Sequence, residues 1–223
     1  ARDRSFIAET TYDIVRWKRL YAEISEVKEP FSRENAFRLF AVWATLRGIE
    51  LPDWKQIEDT PTRRIKGRFD ALSKIRKFRE SVPDWLDELG VAELGEETWE
   101  KEIGALNKQA PVIIRANRLK TDVLTLKQKL ADEGFETINL KDYPDALQLV
   151  ERANIFKTES FQNGLFEVQD ASSQLVADFL GVQPGDRVVD TCAGAGGKSL
   201  HLAALMENKG QVIALDIYGN KLK

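Results

Sequence analysis

The sequence of 223 residues contains one cysteine, one histidine and one methionine. A single cysteine excludes an internal disulfide and favours a reducing compartment, so we expect a cytoplasmic protein. No apolar run approaches the roughly 18 residues of a membrane-spanning helix, and no secretory signal opens the chain. No His, Cys or Asp cluster has the spacing of a metal site. We therefore expect neither a metal nor a membrane among the partners, and we expect a monomer.

The net charge of −3 is unevenly distributed. Residues 1–80 carry 18 Lys and Arg against 13 Asp and Glu, whereas residues 81–110 carry 2 against 8. The positive charge is densest in a basic stretch that holds one acid, Asp70. Its eight cations are Arg63, Arg64, Lys66, Arg68, Lys74, Arg76, Lys77 and Arg79.

Two interpretations of this basic stretch remain open. It is either a solvated helix face or a surface that contacts the phosphates of RNA, which would position the nucleic acid without reading its sequence. We select Arg63, Arg64, Lys66 and Arg68 as candidate RNA-binding residues.

Apolar residues at a spacing of three to four predict four helices. One covers 5–24, one begins after the N-cap Ser32, one covers 53–60, and one extends from Pro61 to Pro83. Residues 1–80 therefore form a predicted all-α domain. Residues 81–110 form a predicted acidic connector of two helices.

From Pro111 the pattern changes to that of a small α+β unit, which we place at 111–166. Val112 to Arg115 is a predicted strand, and a helix is predicted from the N-cap Thr121 to the stop at Gly134. Further short strands are predicted at 135–140, 147–150, Ile155 and 165–168.

The segment 167–223 contains the pattern that carries the chemistry. After a predicted helix from Ser172 to Leu180, the apolar pair Val188 and Val189 predicts a buried strand that ends at Asp190. A glycine-rich loop follows, then a helix from Lys198, a strand from Gln211, and Asp216 at the tip of that strand. Such a unit binds a nucleotide: loop glycines allow close approach to the backbone, and the acid accepts hydrogen bonds from ribose hydroxyls.

Three cofactor classes compete on this spacing. A P-loop would place glycine where Cys192 stands, although Gly197-Lys198-Ser199 supplies its tail. A dinucleotide fingerprint would place glycine or alanine where Ser199 stands. S-adenosylmethionine has a ribose and a carboxylate but no phosphate, and it requires the loop and the acid alone.

Several segments together resemble one family. They are Pro111–Asn117, Tyr143–Leu147, Val168–Gln174, Asp190–Ser199 and Ala214–Asp216. In this order they are similar to the RsmB-like (Sun/Fmu) family of S-adenosylmethionine-dependent RNA cytosine-5 methyltransferases. That family commonly has Asp-x-Cys-Ala-Ala-Pro-Gly-Gly-Lys-Thr in its loop, and this chain departs from it at Gly194 and Ala195.

The resemblance implies a multidomain protein. Its parts would be an all-α NusB-like head over 1–80, the connector, a small RRM-like α+β subdomain over 111–166, and the start of a truncated α/β Rossmann-like methyltransferase sheet over 167–223. It implies S-adenosylmethionine as cofactor. The implied cofactor-binding residues are Cys192, Ala193, Gly194, Ala195, Gly196, Gly197, Lys198 and Asp216.

The resemblance also implies the chemistry and the partner. In this family a cysteine thiolate adds to the target cytosine, but Cys192 lies in the cofactor loop, so no catalytic residue is assigned and the nucleophile is expected beyond residue 223. We therefore expect the N-terminal portion of an enzyme that acts on ribosomal or transfer RNA and is inactive alone. Arg115 and Asn117 either contact RNA or brace the subdomain. We expect His201 to be a surface or capping histidine and not a catalytic base. The alternatives are a P-loop nucleotide hydrolase and a non-catalytic RNA-binding module.

Overall fold

The computed structural model describes residues 2–222. The chain divides into two compact units, Ala1–Lys108 and Gln109–Lys223. The first unit is helical. Its elements are α1 (Arg2–Arg16), α2 (Lys18–Ser25), α3 (Arg33–Leu46), α4 (Thr62–Leu72), α5 (Arg76–Arg79), α6 (Asp84–Leu94) and α7 (Glu96–Leu106).

The core of the helical unit lies between α2, α3 and α4. Its buried apolar residues are Leu20, Tyr21, Ile24, Val27, Leu39, Val42, Trp43, Ala44 and Ile65. Ser32 caps α3 as predicted, because its hydroxyl accepts a hydrogen bond from the N–H of Asn35 at 3.2 Å. The all-α character predicted for this part of the chain is confirmed.

Two helix predictions in this unit are wrong. Residues 53–60 form turns instead of a helix. The predicted helix from Pro61 to Pro83 is interrupted after α4, and Ile75 is 45% exposed between α4 and α5. Ile75 therefore does not continue the buried stripe that begins at Ile65.

The acidic segment packs within the helical unit through α6 and α7. Trp99 of α7 is buried against Gly90 of α6, where a Cβ would lie 2.2 Å from the indole ring. The indole N–H of Trp99 donates to Asp87 at 2.8 Å, and Arg76 of the basic stretch binds the same carboxylate at 2.8 Å. The acidic residues thus neutralise part of the basic stretch.

The second unit mixes helices and strands. Its elements are β1 (Ile113–Ala116), α8 (Val123–Asp132), β2 (Thr137–Leu140), β3 (Tyr143–Leu149), a 3₁₀-helix (Ile155–Lys157), α9 (Glu159–Gln162), β4 (Phe166–Val168), α10 (Ala171–Leu180), β5 (Arg187–Asp190), α11 (Gly197–Leu205), β6 (Gln211–Ala214) and a second 3₁₀-helix (Gly219–Lys221).

The first four strands form an antiparallel sheet in the order β2-β3-β1-β4. The chain order βαββαβ with this pairing is the ferredoxin-like arrangement. Leu126 and Leu130 of α8 are fully buried against Ile114, Leu147 and other residues of the sheet. The predicted small α+β unit is present.

Two local predictions in this sheet are corrected. The N-cap of α8 is Asp122 and not Thr121, because the Asp122 carboxylate accepts from the N–H groups of Leu124 and Thr125, both at 2.9 Å. Ile155 lies in the 3₁₀-helix instead of a strand, where its buried side chain fills the core.

Strands β5 and β6 pair in parallel, with Arg187 opposite Gln211 and Asp190 opposite Ala214. Helix α11 connects them and packs on α10, and α10 also contacts β1 and β3. Helix α10 therefore joins the ferredoxin-like sheet to the parallel strand pair. No helix within residues 2–222 is long and apolar enough to cross a membrane.

Candidate cofactor site and candidate RNA surface

The glycine loop turns the chain from β5 into α11. Gly194 and Gly196 have φ values of +55° and +86°, a region that favours glycine because it lacks a Cβ. A Cβ built at either position would meet nothing within 4 Å. Backbone conformation, and not crowding, is therefore what requires glycine at these two positions.

Asp190 holds the two ends of the loop together. One oxygen of its carboxylate accepts from the N–H of Cys192 at 3.2 Å, and the other accepts from the hydroxyl of Ser199 at 2.7 Å. In the part of the chain that the structure describes, the N–H groups of Gly197, Lys198 and Ser199 donate to no protein acceptor. These first-turn donors form the positive end of the α11 dipole and are available to a ligand.

Asp216 binds directly to the glycine loop. Its carboxylate accepts from the N–H of Tyr218 at 2.8 Å and from the N–H of Gly194 at 2.9 Å. The hydrogen bond from Tyr218 contributes most to lowering the pKa of Asp216; burial opposes it, and the hydrogen bond from Gly194 and the charge of Lys221 lower the pKa further. Each oxygen keeps acceptor capacity for a further donor, so an ionised acceptor lies beside the free N–H groups of α11.

The structure brings all eight predicted cofactor-binding residues into one loop and its neighbouring strand tip. Ala193 is buried and its N–H donates to Leu215 at 2.9 Å, which ties the loop to the end of β6. Cys192, Ala195 and Lys198 are exposed. Within residues 2–222 no group of three or more His, Cys, Asp or Glu could hold a metal ion.

Arg115 is buried inside the second unit and is not placed to contact RNA. Its side chain is 2% exposed in β1, and its guanidinium donates from Nη1 to Gln169 Oε1 at 2.5 Å and to the carbonyl of Gly197 at 3.0 Å. A side chain so buried offers no donor to an external phosphate, so the bracing alternative describes Arg115.

Asn117 also makes internal contacts at the end of β1. Its side-chain amide donates to the carbonyl of Gly164 at 3.0 Å, and its oxygen accepts from the N–H of Leu119 at 3.1 Å. The side chain is partly exposed. A contact of Asn117 with RNA stays a prediction.

His201 is buried, so the expectation of a surface histidine is wrong. Its side chain is 1% exposed in α11, and among the described residues neither ring nitrogen has a hydrogen-bond partner. Burial first, and then the nearby cations Arg115 and Arg118, lower the pKa of His201 to about 4. The imidazole is therefore neutral at physiological pH. The sequence near His201 does not indicate its lowered pKa, because one of the cations that lower it, Arg115, is distant in the chain.

The basic stretch separates into two sets. Arg64 and Arg68 of α4 both bind the carboxylate of Glu26, Arg68 at 2.9 Å. Arg63 and Lys66 of α4 are exposed and bind no carboxylate in the described part of the chain.

The remaining paired cations bind acids of the same unit. Arg76 binds Asp87 and Glu96, Lys77 binds Asp84, and Arg79 binds Glu80 and Glu100. Ion pairs within the unit therefore neutralise these three cations of the basic stretch. The four candidate RNA-binding residues of the basic stretch all lie on α4.

A parallel strand pair with a glycine loop, the candidate cofactor site, follows a ferredoxin-like sheet in this chain. Residues 82–156 match the family described as Methyltr_RsmF/B-like, ferredoxin-like domain, and residues 177–223 match the family described as 16S rRNA methyltransferase RsmB/F. The chain belongs to the RsmB/F-like methyltransferase family. The first match begins inside the helical unit and includes α6 and α7.

Individual relatives agree with this family. The chain is 37% identical over 158 residues to the probable ribosomal RNA small subunit methyltransferase B of Bacillus subtilis, covering 70% of this chain and 35% of that protein. A methyltransferase homologue from Pyrococcus horikoshii has a similar structure, with a TM-score of 0.60, 30% identity, and coverage of 66% of this chain and 48% of that one.

A crystal structure of the protein PH0851 is similar over 98% of this chain and 56% of its own length, with a TM-score of 0.74 and 26% identity. The matched segment spans about a third of the length of the Bacillus subtilis relative. The helical unit is thus included in the similarity to solved structures.

Proposed function

We propose that this chain is part of an RNA (cytosine-5)-methyltransferase that acts on ribosomal RNA, with S-adenosylmethionine as methyl donor. The observation that carries the proposal is the hydrogen bond between the Asp216 carboxylate and the N–H of Gly194, at the tips of two parallel strands. The names of the relatives support ribosomal RNA as the substrate over transfer RNA.

The residues of the site fit this cofactor. The ionised Asp216 would accept hydrogen bonds from the ribose hydroxyls, and the free N–H groups of Gly197, Lys198 and Ser199 would face the carboxylate of the methionine part. The cofactor supplies an activated methyl group when it is bound. A P-loop hydrolase is less well supported, because Cys192 stands where the first glycine of a phosphate cradle belongs.

Cys192 belongs to the cofactor loop in this proposal and is not the nucleophile. Its backbone N–H is bound to Asp190, and its side chain is exposed beside the loop. We further propose that the helical unit is a NusB-like RNA-binding head and that the parallel strand pair begins a Rossmann-like sheet.

The cofactor assignment predicts the effect of replacing Asp216. Asp216→Ala in the complete protein should weaken S-adenosylmethionine binding by roughly 1–3 kcal/mol, because charge-assisted hydrogen bonds to the ribose are lost. Isothermal titration calorimetry with S-adenosylmethionine, S-adenosylhomocysteine and magnesium-ATP measures this. Glu207→Ala is the matched control, since Glu207 is an exposed carboxylate just after α11 that binds only Lys209. Tight binding of magnesium-ATP without binding of S-adenosylmethionine would refute the assignment.

RNA binding by α4 predicts a graded response to charge removal. Replacing Arg63 and Lys66 by glutamine should lower the slope of log affinity against log salt by about 1.4–1.8, because two phosphate contacts and their released counterions are lost. Replacing Arg64 and Arg68 should lower it less, since a phosphate must first displace Glu26 from them.

Filter binding over about 50–200 mM salt measures these slopes. The control is the double replacement of Lys101 and Lys108, the cations of the acidic segment 81–110, which should leave the slope unchanged. Glu26→Gln should raise RNA affinity because it releases Arg64 and Arg68. Equal slopes for wild type and the Arg63/Lys66 variant would show that α4 is only a solvated face.

A further inference from the structure

We propose that Arg115 is a positioning residue for cofactor binding: from β1 of the ferredoxin-like sheet it holds the first peptide of α11 and thereby orients the donors of the glycine loop. This inference rests on the proposed function, because it assigns a second role at the same cofactor site. Arg115 does not touch the cofactor in this proposal and acts through Gly197.

The burial of Arg115 indicates a purpose other than folding. All four residues of β1 are buried, and Arg115 is a charged residue among Ile113, Ile114 and Ala116. No carboxylate in residues 2–222 lies within ion-pair distance of its guanidinium, and its Nε has no hydrogen-bond partner. Burial lowers the pKa of Arg115, although Glu167, Asp145 and Asp178 act on it in the opposite direction from beyond ion-pair distance. A buried cation without a direct ion pair is costly, so a hydrophobic residue would serve the core of the sheet better.

The acceptors of Arg115 are both neutral and both fixed. Gln169 is 7% exposed; its N–H donates to the carbonyl of Ile113 at 3.1 Å, and its carbonyl accepts from the side-chain amide of Gln174 at 3.0 Å. These two hydrogen bonds fix the backbone of Gln169, and burial restricts its side chain. Nη1 of Arg115 donates both to the side-chain oxygen of Gln169 and to the carbonyl of Gly197, so Gln169 holds the guanidinium where it reaches Gly197.

The contact at Gly197 reaches the cofactor site through peptide geometry. The carbonyl of Gly197 and the N–H of Lys198 belong to one planar, trans peptide unit, so fixing the carbonyl fixes the direction of the N–H. That N–H is one of the three free donors at the start of α11. The preceding residue, Gly196, is a glycine with φ +86°, which gives the loop backbone freedom that this contact restrains.

Arg118 provides a matched comparison. It follows β1 closely in the chain, but its side chain is 44% exposed and its Nε binds Asp145 at 2.6 Å. Arg118 has the same charge as Arg115 and lies three residues after it. Among the described residues, it makes no hydrogen bond to the glycine loop. A variant of Arg118 therefore separates loss of charge in this region from loss of the Gly197 contact.

The experiment compares Arg115→Gln, Arg115→Lys and Arg118→Gln in the complete protein. Calorimetry should show that Arg115→Gln raises the Kd of S-adenosylmethionine roughly ten- to hundred-fold, as expected for loss of a charge-assisted hydrogen bond. Arg115→Lys should retain part of the affinity, since an ammonium can still donate to Gly197. Arg118→Gln should bind like the wild type. In methyl-transfer assays, Arg115→Gln should raise the KM for the cofactor more than it lowers kcat, and the KM for RNA should not change.

A role limited to folding would change the melting temperature without changing the Kd of the folded protein. If Arg115→Gln does not fold, the inference is tested by Gln169→Leu, which keeps the buried cation and removes its anchor, and should also raise the cofactor Kd. An unchanged Kd in a folded Arg115 or Gln169 variant, or an equal rise in Arg118→Gln, would overturn the inference. Absence of cofactor binding by the wild type would instead contradict the proposed function itself.

Discussion

Replacing Gly210 by alanine should cost the second compact unit roughly 3 kcal/mol or more of its free energy of unfolding. The backbone at Gly210 has φ +119°, a conformation open to glycine alone. A Cβ there would lie 2.3 Å from the carbonyl oxygen of Asp186 and 2.5 Å from Cε of Met206. The Asp186 carbonyl cannot move away, because it accepts the N–H of Gln211 at 2.9 Å where the pairing of β5 with β6 begins.

The positions of the tryptophans allow the unfolding of the two compact units to be measured separately. All five tryptophans lie in residues 1–108, so tryptophan fluorescence follows only the helical unit. Urea unfolding of Gly210→Ala should leave the fluorescence transition in place and move a circular-dichroism transition to lower urea. Gly219→Ala is the control, since its Cβ would meet nothing within 4 Å and its φ is not positive. Equal stability of Gly210→Ala and Gly219→Ala would contradict the packing described for this turn.

Lowering the pH from about 7.5 to about 5 should destabilise the second unit by about 2 kcal/mol through His201. Burial lowers the pKa of His201 to about 4 in the folded protein, from 6.5 as the ordinary value. The unfolded chain therefore binds more protons between these two values. Stability is fully present above about pH 6.5 and is lost as the pH falls toward 4.

Two nearby cations contribute to this lowered pKa of His201. Arg115 and Arg118 both lower the pKa of His201, and the Arg118 charge is partly balanced by Asp145. His201→Leu should remove the pH dependence in this window, because His201 is the only histidine of the chain. Urea unfolding followed by circular dichroism at a series of pH values is the measurement. A stability of the second unit that stays constant from about pH 7.5 to 5 in the wild type would show that the imidazole is not confined as described.

The glycine loop could be predicted from the sequence because its signals are local. The β-branched pair Val188 and Val189, the glycines and the acid after the second strand lie within one short segment, and each feature has a physical reason to occupy its place. The structure confirms the strand, loop, helix and strand with boundaries shifted by one residue or less.

The features that could not be predicted depend on contacts distant in the chain. The burial of His201 depends on packing near Arg115, and the pairing of Arg64 with Glu26 joins α4 to the end of α2. One local signal existed for Arg115, a single charge inside an apolar strand, but its acceptors at Gln169 and Gly197 become neighbours only when the two sheets assemble.

If the basic stretch binds RNA as proposed, its ion pairs with the acidic helices would affect how long the protein remains on an incorrect RNA. Asp84, Asp87 and Glu100 are tethered beside Lys77, Arg76 and Arg79, so a phosphate competes with carboxylates at a high effective concentration. Nonspecific attachment strengthens with each phosphate neutralised. Because these acids pair with Arg76, Lys77 and Arg79, the open cations of the basic stretch within residues 2–222 are Arg63 and Lys66 on α4 and Lys74 just after it, so the chain would dissociate sooner from an incorrect RNA.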